Sequence, residues 1–393
     1  MIRSQTSEVK PEKLSISQIQ NVAKTQNATL VQYSIVSKEE LYIYITQPNG
    51  QVSFRKVDLT KLKQPIRELV NTGRETIGTR GRGDFVANIP ASILQETQAK
   101  RDADRDRNLR ELHQLLIEPI ADLLPKTETE NIVFMPQGEP FLVPFPALLD
   151  ASNQPLITKH TILTAPSIQT LDITHKAAQA RPKGNRPSLV VGNPTMPSIS
   201  TVIGDKPQQL DNLPGAETEA NTIATQLNTK AITGANAKKD TIVKQMQTAG
   251  IIHLATHGLL DSFKGDTPGA IALAPNGTNE RNDGLLTSGE IFDLKLTADL
   301  VLSACDTGRG DITGDGVIGL SRSLFVAGVP SVIVSLWKVP DESTAVLMTE
   351  FYTNWKQRNL TKAQALRQAM LTTRAKYPRP IDWAAFTLIG EAQ

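Results

Sequence analysis

The sequence predicts an α/β protein with a mostly parallel sheet flanked by helices, and three patterns lead to this prediction. After residue 187, short apolar runs alternate with amphipathic segments of helical length. The runs at residues 250–258, 300–305 and 331–337 are almost continuously hydrophobic, as expected for parallel strands that helices cover on both faces. Before residue 180, β-branched and aromatic runs predict further strands. We therefore expect two α/β halves.

The chain begins with polar residues, and an antiparallel meander follows them. Residues 1–28 are rich in Gln, Ser and Lys and are expected to form a leader or a truncated helix. Strands are predicted at residues 28–36 and 41–46, with a charged turn between them. A third strand follows the turn signal Asn49-Gly50.

Helices and irregular segments complete the first half. Residues 59–70 are predicted to be helical, and the Gly- and Arg-rich residues 73–84 to form an exposed loop. A long, partly amphipathic helix is expected over about residues 91–124. Residues 131–136 predict a short buried strand. The proline-interrupted run at 140–149 is expected at an edge or in an irregular covering segment.

A helix capped near Ser167 and a polar, basic linker at residues 176–186 precede the second half. We therefore predict three parts: the leader, an N-terminal half over residues 29–180 and a C-terminal half over residues 187–393. The C-terminal half is predicted to alternate strands and helices. Its strands are expected at 188–194, 230–234, 250–258, 300–305 and 331–337, and its helices at 214–227, 239–248, 317–327, 342–356 and 362–377.

Charge and composition exclude several classes of protein. Lys plus Arg is 42 and Asp plus Glu is 40, so the net charge is +2. So small an excess argues against nucleic acid or an anionic membrane as a partner. The sequence shows neither the apolar core of a secretory signal nor a run of ~18 apolar residues, so we expect a cytoplasmic protein. We expect no cofactor and no metal, because a dinucleotide fingerprint and a cysteine-rich metal site are both missing.

Two predicted parallel strands end in reactive side chains. Residues 250–256 lead to His257, and residues 300–304 lead to Cys305, the single cysteine of the chain. In a doubly wound α/β sheet, ligands and chemistry collect at the carboxyl ends of the strands. If these two strands are neighbours, an imidazole and a thiol meet at one edge, which is the minimum for a cysteine nucleophile with a histidine base. The sequence therefore predicts His257 and Cys305 as a catalytic pair.

The glycine after the histidine suits the same chemistry. Attack of a thiolate on a carbonyl creates an oxyanion that needs preorganised donors, and the backbone amides of Gly258 and Cys305 are candidates for this oxyanion hole. A side chain at position 258 would block the approach of a substrate backbone. The leaving amine can take its proton from His257.

With these residues the chain resembles the CHAT domain, a caspase-like module often attached to tetratricopeptide repeats. His257 and Cys305 lie 48 positions apart, close to the ~50 of caspases. An ordered series of motifs carries the resemblance over nearly the whole chain: VQYSIVSKEELYIYI, NIVFMPQGEPFLVPFPALL, VVGNPTM, LPGAETEA, IIHLATHG, NDGLLTSGEIFDLKL, ADLVLSACDTG and WAAFTLIGE. The resemblance implies a caspase-like sheet, a C-terminal half with the His/Cys pair and a degenerate, non-catalytic N-terminal half. It also implies a tetratricopeptide-repeat protein or domain as a partner.

The related separases imply where substrate specificity would reside. In separases, an acidic residue just after the strand that follows the catalytic cysteine lines the pocket for a basic side chain. Asp341 in SLWKVPDES lies at the similar place, with Trp337 as a hydrophobic wall and Asp306 as an alternative wall residue. A carboxylate there would favour Lys or Arg before the scissile bond through charge-assisted pairing. Alternatively, Asp341 only caps the helix that begins at Glu342.

Other motifs have competing interpretations. His253 and His257 have the spacing of some metal pairs, but this motif lacks the glutamate of a helical zinc site and lies on a strand. Residues 308–316 are rich in Asp and Gly but lack the ligand spacing of an EF-hand, which favours a mobile loop over the cleft rather than a calcium site. The segments 79–84 and 276–284 are either activation cleavage sites or ordinary surface loops.

The sequence thus predicts a cysteine endopeptidase that hydrolyses peptide bonds of protein substrates after Lys or Arg. Two alternatives stay open. The fold can serve as an interaction or signalling module that is catalytically silent or gated by a partner. A thiol acyl-transferase could use the same His/Cys pair.

Overall fold

The computed structural model describes residues 13–78, 91–200, 206–259, 269–278, 282–303, 314–337 and 339–393. Its helices are α1 (Ile16–Thr25), α2 (Ile66–Ile77), α3 (Ala91–Leu116), α4 (Ile168–Gln179), α5 (Pro214–Gln226), α6 (Lys239–Met246), α7 (Ser288–Phe292), α8 (Gly314–Val326), α9 (Asp341–Tyr352), α10 (Lys362–Lys376) and α11 (Pro380–Trp383). Its strands are β1 (Ala28–Ile35), β2 (Glu40–Thr46), β3 (Val52–Asp58), β4 (Asn131–Met135), β5 (Thr161–Thr164), β6 (Ser188–Pro194), β7 (Ser198–Ile199), β8 (Gln208–Gln209), β9 (Ile232–Gly234), β10 (Ile251–Ala255), β11 (Gly258–Leu259), β12 (Ala270–Ala272), β13 (Leu285–Thr287), β14 (Asp299–Leu302), β15 (Ser331–Ser335) and β16 (Phe386–Gly390).

One large sheet organises these elements. It has 11 strands in the order β3-β2-β1-β4-β5-β16-β15-β14-β10-β6-β9. Most neighbouring strands are parallel, and the antiparallel pairs are β1–β2, β2–β3 and β15–β16. Helices flank the sheet, and α9 packs against both α5 and α10. The predicted α/β class with a mostly parallel sheet is therefore confirmed.

The central strands are buried along their whole length, whereas the edge is not. Every residue of β4, β10, β14, β15 and β16 is buried. Strand β3, at the edge of the sheet, instead alternates exposed and half-buried residues. The apolar runs of the sequence thus mark strands that are covered on both faces, and the alternating run marks a strand with one solvated face.

The sheet runs through both predicted halves without a break. Strand β5 pairs in parallel with β16, with Thr164 opposite Ile389, and the Thr164 and Thr387 hydroxyls are 2.8 Å apart. One cluster of buried hydrophobic side chains extends from Val22 to Ala392. The N-terminal and C-terminal halves therefore share one sheet and one core, and the boundary between them stays a prediction.

Prolines move several element boundaries away from those predicted. Helix α2 begins at Ile66 rather than near residue 59, because Pro65 occupies its N-cap and has no N–H for a preceding helical turn. The same helix continues to Ile77 and ends at Gly78, whose φ is 103°, so residues 73–77 are helical rather than part of a loop. The remainder of the predicted loop, residues 79–84, lies outside the described residues.

The long helix and the proline-rich run also differ in detail. Helix α3 ends at Leu116, and a 3-10 turn over Glu118–Leu123 replaces its predicted last turns, because Pro119 cannot donate a helical hydrogen bond. The run at 140–149 forms buried 3-10 turns rather than a strand, as expected for an irregular covering segment. Ser167 caps α4 as predicted, since its hydroxyl accepts from the Thr170 N–H.

The predicted linker is tied to the C-terminal half by two arginines. Arg181 binds both carboxylate oxygens of Asp299, at 2.8 and 2.6 Å, and Lys362 approaches the same carboxylate at 3.1 Å. Arg186 donates to the carbonyls of Ala249 and Thr297. These contacts hold the chain against the amino ends of β10 and β14.

None of the helices in the described ranges combines the length and the hydrophobicity that a membrane crossing requires.

Candidate functional site

The strands that lead to the predicted catalytic pair are direct neighbours. Strands β10 and β14 pair in parallel, from Ile251 opposite Asp299 to Leu254 opposite Leu302. Their carboxyl ends therefore lie at the same edge of the sheet. Strand β15 pairs in parallel with β14 on its other side. His257 follows β10 at this edge. Cys305 and Asp306 follow β14 in the sequence, but both lie outside the described residues.

A backbone carbonyl fixes the ring of His257. The residue is fully buried, and its Nε2 lies 2.7 Å from the carbonyl oxygen of Asp211. Because a carbonyl can only accept, Nε2 must carry the hydrogen of this bond. In the neutral ring, Nδ1 is then the nitrogen with the lone pair. The contact thus selects the tautomer in which Nδ1 can act as a base.

The backbone around His257 is held in a small second sheet of three strands, in the order β11-β12-β13. The His257 carbonyl accepts from the Ala272 N–H at 2.9 Å, and the Thr256 hydroxyl donates to the Ala272 carbonyl at 2.8 Å. Gly258 lies opposite Ile271. His257 and Ala272 therefore form a hydrogen-bonded pair of the antiparallel ladder, and the next pair, Gly258 and Ile271, is a non-hydrogen-bonded one. In such a pair the N–H of Gly258 points away from β12. The predicted oxyanion donor is therefore directed out of the ladder.

A separate hydrophobic cluster supports this small sheet. Its buried members come from β7, β11, β12, β13 and the loops beside them, and they are Met196, Ile199, Leu210, Leu259, Ala270, Ala272 and Leu285. The cluster fixes the loops around His257 by packing rather than by charge.

One short segment contacts both His257 and Asp341. We call residues 211–215, which lead into α5, the entry segment. At its start, the Asp211 carbonyl accepts from His257. At its end, Gly215 lies so close to Asp341 that a Cβ atom on Gly215 would be 2.1 Å from the Asp341 Oδ2 atom. Because four residue steps span at most about 14 Å, the entry segment brings His257 and the candidate specificity carboxylate into one neighbourhood.

Asn193 holds the entry segment at the carboxyl end of β6. Its side-chain oxygen accepts from the Leu213 N–H at 2.8 Å, and its side-chain nitrogen donates to Glu217 at 3.1 Å. Its φ of 44° lies in the left-handed region, which asparagine tolerates better than most residues. A buried amide thus uses both of its ends to orient the start of α5.

Of the three residues proposed for a specificity pocket, Asp341 and Trp337 are described, and their surroundings differ. Asp341 is exposed and is the first residue of α9, with Pro340 rather than Asp341 at the N-cap position. Its carboxylate faces the start of α5, where the helix dipole favours negative charge. Trp337 is buried, and its indole N–H donates to the Ile381 carbonyl at 3.1 Å. Asp306 is not described, so the composition of the pocket stays a prediction.

His253 has structural partners. Its Nε2 lies 3.0 Å from a carboxylate oxygen of Glu219, and its Nδ1 lies 3.2 Å from the Tyr352 hydroxyl. Burial, with a smaller contribution from Glu219, raises the pKa of Tyr352 well above 10.0, so this hydroxyl stays protonated. The His253 ring thus joins β10 to α5 and α9. Over the described residues, no three His, Cys, Asp or Glu side chains are grouped to hold a metal ion.

Two of the loops with competing interpretations are only partly described. Of residues 308–316, the first six lie outside the described residues, and the last three begin α8. In the segment 276–284, the Asp283 carboxylate accepts from the N–H groups of Asn276, Gly277 and Thr278. These bonds join the two described parts of the segment, residues 276–278 and 282–284, and cleavage there stays a prediction.

Three residues of this site are not marked by any reactive side chain in the sequence. Asp211 contributes its backbone carbonyl, which any residue could supply at that position. Asn193 acts through the left-handed backbone at the end of β6, and Gly215 acts by leaving room for Asp341. A motif search for reactive side chains passes over all three. Only the Pro-Gly pair at the start of α5 indicates a close approach there.

Known proteins resemble this chain in both sequence and fold. The CHAT domain family matches residues 106–391. Human tetratricopeptide repeat protein 28 is 28% identical over an alignment of 325 positions, which covers 72% of this chain and 13% of the human protein. The mouse protein of the same name is 27% identical over 326 residues, with the same coverage. The chain therefore spans only a small part of the length of these relatives.

A solved structure shows the same fold. In the crystal structure of the Saccharomyces cerevisiae separase–securin complex at 3.0 Å resolution, the matching region has a TM-score of 0.58 and 12% sequence identity. It covers 95% of this chain and 30% of that chain. The predicted caspase-like fold is therefore confirmed.

Proposed function

The chain belongs to the CHAT domain family, and on this premise we propose that it is a cysteine endopeptidase with Cys305 as nucleophile and His257 as general base and acid. The observation that carries the proposal is the bond of 2.7 Å between His257 Nε2 and the Asp211 carbonyl. It orients a buried imidazole at the edge where the strand leading to Cys305 also ends.

The proposed reaction proceeds in two stages. Nδ1 of His257 takes the proton of the Cys305 thiol, and the thiolate attacks the scissile carbonyl. The N–H groups of Gly258 and Cys305 stabilise the oxyanion, and the protonated His257 then gives its proton to the leaving amine. In the second stage His257 activates a water molecule, which hydrolyses the thioester and restores the thiol.

We further propose that the substrate is a protein or peptide cleaved after Lys or Arg. The support is the exposed Asp341 carboxylate, which the entry segment places in the neighbourhood of His257. The global net charge of +2 offers no field that would attract cations. A preference for basic side chains must therefore come from a local carboxylate.

An electrophilic peptide ketone with arginine next to the reactive group tests the catalytic assignment. We expect one covalent adduct in the intact mass, and none in Cys305→Ala. His257→Gln should slow labelling by about 100-fold, because general acid–base catalysis contributes at least that much. His113→Gln is the matched control and should label at the wild-type rate. Unchanged cleavage of a Lys/Arg peptide library by Cys305→Ala would refute the proposal.

A second candidate function is an interaction module whose site a partner controls. The observation that favours it is that this chain matches only 13% of the length of the human tetratricopeptide repeat relative. Labelling of Cys305 with and without an added tetratricopeptide-repeat protein, and with and without Ca²⁺, separates the two candidates. Prompt labelling in the isolated protein would contradict obligatory gating. The partner and the cytoplasmic location both stay predictions.

A further inference from the structure

One buried arginine of the N-terminal half reaches the chain between β15 and α9. Arg74 lies in α2, and only 8% of its surface is exposed. Its Nη2 donates to the Leu336 carbonyl at 2.9 Å, and its Nη1 makes a long contact of 3.5 Å with the Leu142 carbonyl. The guanidinium thus links the C-terminal half to the N-terminal half.

Leu336 begins the connection that leads to Asp341. We call this connection, residues 336–341, the specificity segment; residue 338 lies outside the described residues. On one side the segment is fixed by the C-terminal half, because the Leu336 N–H donates to the Ala385 carbonyl at 2.8 Å and the Trp337 indole donates to Ile381. On the other side Arg74 holds the Leu336 carbonyl. The peptide groups around Leu336 therefore have partners from both halves.

We propose that Arg74 is a positioning residue for the specificity segment, so that the N-terminal half helps to determine which residue the enzyme accepts before the scissile bond. This inference rests on the proposed function. A guanidinium is planar and always charged, so it fixes the direction of a buried carbonyl more firmly than a neutral donor does. Rotation of the Leu336 carbonyl would move the chain that carries Asp341.

A second arginine provides a matched control. Arg367 of α10 is 4% exposed and makes the reverse connection, from the C-terminal half to the N-terminal half. It donates to the carbonyls of Ile157 and Thr158 at 2.9 and 2.8 Å, and it pairs with Glu128 at 2.7 Å. It has the same chemistry, similar burial and a role between the halves, but its hydrogen bonds go to residues 128, 157 and 158 rather than to the specificity segment.

The experiment compares Arg74→Gln, Arg74→Lys and Arg367→Gln in the full chain. Hydrogen exchange of a peptide covering residues 336–343 should accelerate about 10-fold in Arg74→Gln, because local opening becomes easier. Arg74→Lys keeps one cationic donor and should give an intermediate rate. Arg367→Gln should leave this peptide unchanged and accelerate exchange around residues 156–160 instead.

Activity provides the second readout. In Arg74→Gln, kcat/KM for peptides with Lys or Arg should fall about 10-fold relative to peptides with a neutral residue at the same place. Arg367→Gln should lower kcat/KM for the two classes of peptide equally or leave both unchanged. Equal exchange at residues 336–343 in the two glutamine variants, or faster exchange with unchanged selectivity, would overturn the inference. Absence of any Cys305-dependent hydrolysis would refute the proposed function, and hydrogen exchange alone would then decide whether Arg74 positions the segment.

Discussion

At the scale of single residues, Asp341 occupies the space that a side chain at position 215 would need. An ideal Cβ on Gly215 would lie 2.1 Å from Oδ2, 2.3 Å from Cγ and 2.4 Å from Cβ of Asp341. All three distances are too short for any real pair of atoms, so a side chain at position 215 must displace either Asp341 or the start of α5. The absence of a side chain at Gly215 therefore sets the position of the carboxylate.

Gly215→Ala is expected to impair both stability and selectivity. Overpacking should lower the free energy of unfolding by about 1–2 kcal/mol, although alanine is the better helix former. Displacement of Asp341 should reduce kcat/KM for Lys and Arg peptides about 10-fold, in the same direction as Asp341→Asn. Urea denaturation and peptide hydrolysis measure the two effects.

Gly289→Ala in α7 is the control for this substitution. The nearest atom to a Cβ at position 289 is the Thr287 hydroxyl oxygen, at 3.9 Å. This variant should therefore be as stable as the wild type or slightly more stable, with unchanged selectivity. If the two alanine variants behave alike, the Gly215–Asp341 contact has no role in substrate choice.

At the scale of elements, the amino ends of the strands depend on one buried carboxylate. Asp299 begins β14, and it is bound by Arg181 from the linker and by Lys362 from α10. Burial alone would raise the pKa of Asp299, but Lys362 and Arg181 outweigh it and hold the pKa below its usual value of 3.8. The carboxylate is therefore charged at neutral pH and joins three elements.

Asp299→Asn should destabilise the fold strongly. It keeps the shape of the side chain but removes the charge that compensates Lys362, which is 3% exposed. Loss of one partner of a buried ion pair costs about 3–5 kcal/mol, and urea denaturation should show a loss near the lower end of that range. Asp172→Asn, which breaks the more exposed pair with Lys176, should change stability by less than about 0.5 kcal/mol. Equal losses in the two variants would contradict a special role for Asp299.

At the scale of elements, the sequence predicts the central strands better than the helix boundaries. The strands before His257 and Cys305 are recognisable because burial on both faces leaves an uninterrupted apolar run, and parallel strands place their carboxyl ends together. Helix boundaries are less predictable, because Pro65 and Pro119 act on hydrogen bonds one turn away rather than on hydrophobic periodicity. Strand β5 reads Thr-Ile-Leu-Thr, so its two threonines leave an apolar run of only two residues.

Parts of the site depend on contacts distant in sequence and so could not be predicted. The antiparallel pairing of β16 with β15 arises from packing over the whole sheet. The bond from His257 to Asp211 joins residues 46 positions apart and uses a main-chain atom. The reach of Arg74 to Leu336 spans 262 positions. Residue types predict His257 and Cys305 as base and nucleophile, whereas the carbonyl that orients His257 becomes visible only in the folded chain.

At the scale of the whole molecule, His160 links stability to pH. It lies between the buried 3-10 turn at Leu156–Thr158 and β5. Burial, with smaller effects of Lys159, Arg367 and His113, lowers its pKa from 6.5 to about 4. The ring is therefore neutral in the folded protein at pH 5, whereas in the unfolded chain it is mostly protonated. Between these two pKa values the unfolded state binds more protons, so acid favours unfolding.

The free energy of unfolding should therefore fall as the pH drops from 7 to 5, and His160 should account for a defined part of the loss. A fully buried ring with this shift would contribute ~2 kcal/mol over that interval, and partial exposure reduces the expected value to about 1 kcal/mol. Urea denaturation of wild type and His160→Gln at both pH values measures the difference. The variant should lose about 1 kcal/mol less than the wild type, because glutamine does not titrate. Carboxylates such as Asp299, whose pKa lies below 3.8, lose their contribution at lower pH and do not interfere. Parallel pH profiles for the two proteins would show that the ring is protonated equally in the folded and unfolded states.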